Sequence, residues 1–184
     1  MSPEASAWVE KTLASLSLEK KIGQIVCSDI AGGYIADGDP KLERWIGLAR
    51  DHGLGMFVLY GGTPRDVAHL LNTLQKSAAI PILVAADFEG GPGQQVAGAS
   101  EYPANMAFAA ARSEDLVYRA AAAAAVEGRA MGIHLTYTPV VDIAVRPDNP
   151  AESVRSFGGD FELLGRMVRA YVRGYHDNGM LTSA

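Results

Sequence analysis

Short apolar runs alternate with stretches of helical periodicity along this chain, and that alternation limits the fold more than any other feature. Ile25 to Ile30, Met56 to Tyr60, Ile82 to Ala86 and His134 to Ile143 read as strands. Before and between them lie helix signals. Ser17 can cap a helix over Leu18 to Gln24. Asp39-Pro40 opens the next, with Leu42, Trp45, Ile46 and Ala49 on one face and Gly53 to stop it. Thr63-Pro64 opens another, carrying Val67, Leu70, Leu71, Leu74 and Ala78. Ser113 caps an alanine-rich helix ending near Gly132, with Glu114 and Asp115 placed to complement its dipole. Asp160 caps the last, in which Phe161, Leu164, Val168, Tyr171 and Tyr175 recur at helical spacing before Asn178-Gly179. Met180 to Ala184 starts a fifth strand.

Repeated βα units imply an α/β fold with a parallel sheet and right-handed crossovers. A closed (β/α)8 barrel takes ~250 residues. The 184 residues present supply about four βα units plus the start of strand five. Two architectures fit: an open doubly wound sheet, or the N-terminal half of a parallel (β/α)8 TIM-type barrel, with residues 1–184 as one partial barrel domain. No glycine fingerprint of a dinucleotide fold follows the first strand, which weighs against the first option. No Walker-type phosphate loop is present either.

Composition narrows the partners. The net charge is −5, with no basic stripe, which argues against nucleic acid or an anionic membrane. The longest alanine-rich run, Ala120 to Val126, is too short to cross a bilayer. The opening Met1-Ser2-Pro3-Glu4 lacks the segments of a signal peptide, so a cytoplasmic location is the expectation. The one cysteine, Cys27, cannot form an internal disulfide, and its apolar run predicts a buried, inert thiol.

The chemistry concentrates at strand ends. Pro81 to Ala86 runs directly into Asp87-Phe88-Glu89-Gly90-Gly91, where a parallel strand leaves the sheet. That edge is where ligands bind in α/β folds. A second polar cluster follows the next strand: Asp142, Asn149-Pro150 and Arg155-Ser156-Phe157-Gly158. Two such clusters on consecutive strands predict one pocket built from loops. Between them, Glu89 to Arg112 is too long for an ordinary βα connection. Asp87 and Glu89 would point the same way on extended backbone. Such a pair suits acid and nucleophile work on a glycoside, or a divalent cation. It equally suits a turn cap beside a glutamate that is solvated or paired with an arginine. Gly90 and Gly91 fit a tight turn or a close backbone approach to a ligand. The Arg155 fork suits a ligand's hydroxyls or carboxylate, or an ion pair with Asp142, Asp148 or Asp160. His52, His69, His134 and His176 show no metal-ligand spacing and read as structural.

Four motifs together carry a resemblance over nearly the whole chain. Leu16-Ser17-Leu18-Glu19-Lys20-Lys21-Ile22-Gly23-Gln24 resembles the opening segment of glycoside hydrolase family 3. Asp87-Phe88-Glu89-Gly90-Gly91 resembles that family's signature after its third strand. Gly132-Ile133 through Thr138-Pro139-Val140-Val141-Asp142-Ile143, then Asp148-Asn149-Pro150 and Arg155-Ser156-Phe157-Gly158-Gly159-Asp160, follow in the family's order and spacing. The Asn-Pro and Arg-Ser-Phe-Gly form is closer to the β-N-acetylhexosaminidase branch than to the β-glucosidase branch.

The resemblance implies a retaining exo-glycosidase of the β-N-acetylhexosaminidase type, acting on terminal β-linked N-acetylglucosamine without a cofactor. By the same resemblance, Asp87 binds hydroxyls of the sugar in the −1 subsite and Arg155 contacts that sugar. Glu89 and Asp142 are secondary candidates. Gln95 stands where the branch usually has an arginine, keeping hydrogen bonding and losing charge. The family's nucleophile and acid/base are expected beyond Ala184, so no catalytic residue is expected in this chain, and no metal site. The partners expected are a carbohydrate substrate and the second half of the barrel or a self-association partner. The rival readings are a β-glucosidase of the same family, a non-catalytic sugar-binding or assembly half-barrel, and a divalent-metal enzyme using Asp87 and Glu89.

Overall fold

The computed structural model describes residues 2–146 and 148–184; Met1, part of the opening stretch read above, lies outside them. Five parallel strands form one open sheet in the order β1 (Cys27–Ala31), β2 (Met56–Tyr60), β3 (Leu83–Ala86), β4 (Leu135–Thr136), β5 (Leu181–Thr182). The helices are α1 (Pro3–Ser15), α2 (Leu18–Gln24), α3 (Pro40–Arg50), α4 (Pro64–Ser77), α5 (Asn105–Ala111), α6 (Glu114–Ala130) and α7 (Phe161–Asp177).

Strand order equal to chain order decides between the two architectures. A doubly wound sheet reverses its order and so places helices on both faces. Here every strand pairs with its successor, and crossovers of one hand keep all helices on one side. The sheet is the half-barrel arrangement.

Alternation along the strands shows the consequence. Ile30, Phe57, Leu59, Val84 and Ala86 are buried beneath the helices. Of the alternate residues, which face the other way, Tyr60 is 48%, Leu83 41% and Leu181 50% exposed. Cys27 belongs to this bare face and is exposed, against the expectation of a buried thiol. Its apolar run reflects the barrel side of the strand rather than the helix side. The accessible surface is 10055 Å². A compact globule of 19.4 kDa presents about 8,500 Å², an excess of order 1,500 Å² to which the uncovered face and the unpacked first helix both contribute.

The caps read from sequence hold the helices. Ser17 accepts from Lys20 N–H, Thr63 from Asp66 N–H, Ser113 from Leu116 N–H, and Asp160 from Glu162 and Leu163 N–H. Four elements differ from expectation. α1, capped by Ser2, has no buried residue and no strong apolar period. α5 and a short 3-10 turn at Pro92–Gln94 lie inside the long connection after β3. β4 is confined to Leu135–Thr136, and Pro139, lacking an N–H, lies among the irregular residues that follow. Among the described residues, no helix is long and apolar enough to cross a membrane.

Candidate functional site

The connections leaving β3 and β4 meet over the ends of those strands. They enclose an open hollow of about 660 Å³, lined among others by Asp87, Glu89, Gln94, Tyr102, Asn105 and Arg155. The two polar clusters read from the sequence therefore share one site. Asp87 and Glu89 both reach it, through a turn rather than through extended backbone. That turn is closed by Gly91 N–H donating to the Phe88 carbonyl at 3.0 Å. Gly91 has φ +85°, and a Cβ there would lie 2.5 Å from Tyr102 Cδ2. Both facts require glycine. Gln94 Oε1 accepts from Gly90 N–H at 3.0 Å and the Gly90 carbonyl accepts from Tyr102 N–H at 2.7 Å, tying the turn to its own connection.

Glu89 and Arg155 form the strongest pairing in the hollow. Arg155 Nε donates to Glu89 Oε2 and Nη2 to Oε1, each at 2.7 Å. Nη1 donates to the Ala151 carbonyl at 2.9 Å. A guanidinium has five N–H donors in a fixed plane, so three are committed and two remain for a ligand. Glu89's hydrogen bond and charge push the guanidinium's pKa further up. The pair joins the β3 and β4 connections 66 residues apart in sequence. The ion pairs read for Arg155 from sequence do not form. Asp148 pairs with Arg146, Asp160 caps α7, and the exposed Asp142 offers its backbone carbonyl to Ser156 Oγ at 2.6 Å.

Asp87 differs from Glu89. No side chain among the described residues hydrogen-bonds its carboxylate. Burial raises its pKa above the usual carboxylate range and the charge of Glu89 adds to this, with Arg155 opposing. An acceptor held this way gains from a ligand's hydroxyl donors. Both Glu89 oxygens accept from Arg155, whose charge competes with a cation for them. Among the described residues, no three His, Cys, Asp or Glu side chains lie close enough together to hold an ion.

Gln95 and Asp142 are not among the residues lining the hollow. Gln95 is half-buried beside it, and its neighbour Gln94 lines the site instead. Glu101, Tyr102 and Asn105 line it without having been singled out in the sequence. Asn105 is 1% exposed; its Nδ2 donates to the Arg155 carbonyl at 2.7 Å, and its Oδ1 is buried without a partner among the described residues. An asparagine at a helix start after Pro103-Ala104 was the available signal.

The matches to known proteins bear on the family and the fold. Residues 18–184 match the glycosyl hydrolase family 3 N terminal domain. A β-N-acetylglucosaminidase/β-glucosidase of Cellulomonas fimi is 36% identical over 100% of this chain and 31% of its own length. A solved family 3 β-N-acetylglucosaminidase from Paenibacillus sp. str. FPU-7 superposes with a TM-score of 0.82 at 34% identity, over 91% of this chain and 32% of that one. The β-glucoside phosphorylase BglX superposes at 0.88 with 31% identity, over 99% of this chain and 32% of that one. The chain spans about a third of the length of each of these proteins. Strand order, the bare barrel face and the rim hollow accord with the sequence match: the chain belongs to glycosyl hydrolase family 3, as its N-terminal domain.

Proposed function

We propose that this chain supplies the sugar-binding wall of a retaining exo-β-N-acetylhexosaminidase acting on terminal β-linked N-acetylglucosamine. The observation that carries it is the division of labour in the hollow: Asp87 is free to accept, while Arg155 is clamped by Glu89 with two donors left over. Asp87 accepts hydrogen bonds from hydroxyls of the sugar in the −1 subsite, and Arg155 donates to the same sugar. The nucleophile and the acid/base come from segments beyond Ala184. The name of the Cellulomonas fimi relative supports the N-acetylglucosamine preference and keeps a glucoside activity beside it. The bare sheet face supports a second role: assembly with a complementary half, or with another copy of the chain, that covers it.

Two assays test the reading. The chain alone, carefully purified, releases no chromophore from an aryl N-acetyl-β-glucosaminide, because covalent catalysis and proton transfer are missing. The closed-barrel protein, this chain continued into the second half, hydrolyses that substrate with a higher kcat/KM than the aryl β-glucoside. Turnover by the chain alone that vanishes on Asp87→Ala would show these carboxylates to be catalytic and overturn the assignment. A clear preference for the glucoside would overturn the substrate.

A further inference from the structure

Phe88 sits between the two carboxylates, and both of its peptide groups are held by buried hydroxyls. The backbone pairing of β3 with β4 ends at Ala86↔Thr136. Beyond it, the Thr136 side chain takes over from the ladder: Phe88 N–H donates to Thr136 Oγ1 at 3.1 Å. The Phe88 carbonyl accepts from Tyr171 OH at 3.1 Å, in addition to the turn bond from Gly91. Thr138 Oγ1 donates in turn to the Tyr171 hydroxyl at 3.2 Å. Thr136 and Thr138 are fully buried and Tyr171 is 4% exposed. Buried hydroxyls are costly unless they are used, and these converge on one peptide. The Phe88 ring is locked as well: a Cβ on Gly128 of α6 would lie 2.7 Å from its Cε2.

We propose that Thr136 and Tyr171, with Thr138 behind them, are positioning residues for the sugar site. They fix the peptide planes on either side of Phe88 and so aim Asp87 and Glu89, and through Glu89 the Arg155 fork. They touch no substrate. The inference rests on the sugar-binding reading above and goes past it, because it places the precision of the rim in hydroxyls on β4, on the residues after it, and on α7. Tyr171 also stacks edge-on against Phe157 at a centroid distance of 6.3 Å. Tyr171→Phe therefore keeps the ring packing and removes one hydroxyl. Thr136→Val keeps shape and removes the other.

The test uses the closed-barrel protein with the aryl N-acetyl-β-glucosaminide, well below the melting temperature of every variant. Tyr171→Phe and Thr136→Val each lower kcat/KM about tenfold, mainly through a raised KM, and Thr136→Ser restores it to within about twofold. Tyr118→Phe, on α6, removes a hydroxyl whose partner is Asp177 rather than the Phe88 turn, and leaves kcat/KM unchanged. If Tyr171→Phe and Thr136→Val stay within twofold of the parent while Asp87→Ala is crippled, the hydroxyls are scaffold only, and the proposal falls while the sugar site stands. If Asp87→Ala is silent as well, the sugar-binding reading has failed, and this proposal goes with it.

Discussion

The two faces of the sheet are made from the same strands and meet opposite fates. On the helix side, Phe57, Leu59 and Val84 are packed out of solvent beneath α3, α4 and α6. On the barrel side, Tyr60, Leu83 and Leu181 are about half open to water, and Cys27 is exposed. One residue's step along a strand moves a side chain from core to open surface. Val84, one residue after Leu83 on β3, packs against the helices and is 1% exposed. The site lies at the rim where the two faces end. It is held from the helix side by Thr136, Tyr171 and Phe88.

The largest effect expected from this contrast is on stability. Phe57→Ala should destabilise the chain by about 3–5 kcal/mol, the usual cost of emptying a phenylalanine site in a packed core. Leu83→Ala, on the neighbouring strand and the opposite face, should cost less than about 1 kcal/mol. Denaturant unfolding of the chain diluted to its monomeric state compares them. Equal costs would mean that the barrel face is covered in solution.

Self-association sharpens the same comparison. The single chain's excess surface of order 1,500 Å² exceeds the ~800 Å² that each partner buries in a standard protein interface. Open strand edges at β1 and β5 add pairing groups. Sedimentation velocity at low micromolar concentration should show dimers or larger species, and Leu83→Lys with Leu181→Lys should shift them toward monomer. A compact monomer that binds no apolar dye would contradict the bare-face description.

How much of this the sequence carried depends on the range of the interaction. Local signals were sufficient for α2, α3, α4, α6 and α7: Ser17, Thr63, Ser113 and Asp160 all cap where expected. α5 was hidden because it is short and begins without a side-chain cap. Cys27 was misread because an apolar run marks a strand without saying which of its faces is covered. That Asp87, Glu89 and Arg155 share one hollow was legible from their strand ends. The Glu89–Arg155 clamp was not, because it spans 66 residues and competed with nearer carboxylates on equal terms. Tyr171 read as one more apolar helix position, and nothing local shows that its hydroxyl ends on Phe88.

A smaller effect separates binding from stability within the site. Burial, reinforced by the charge of Glu89, raises the Asp87 pKa above the usual carboxylate range against the pull of Arg155. Protonation then favours the folded chain. That contribution is fully present below the unfolded value and is lost as pH rises through the raised folded value. Ionised Asp87 thus weighs against folding at neutral pH. Asp87→Asn should melt slightly above the parent at pH 7, and the gap should close as pH falls below the ordinary carboxylate range. A variant that melts lower at pH 7 would place Asp87 in a stabilising contact.

Asp87 is also where the functional account can be struck most directly. A hydrogen bond to a charged acceptor is worth ~1.5–3 kcal/mol, so losing one in the transition state slows the reaction by roughly ten- to a hundredfold. The measurement is kcat/KM of Asp87→Ala against the parent, in the closed-barrel protein, on the aryl N-acetyl-β-glucosaminide. A fall of that size or greater is the predicted result. A value within a few-fold of the parent would contradict the account and move the sugar away from this rim.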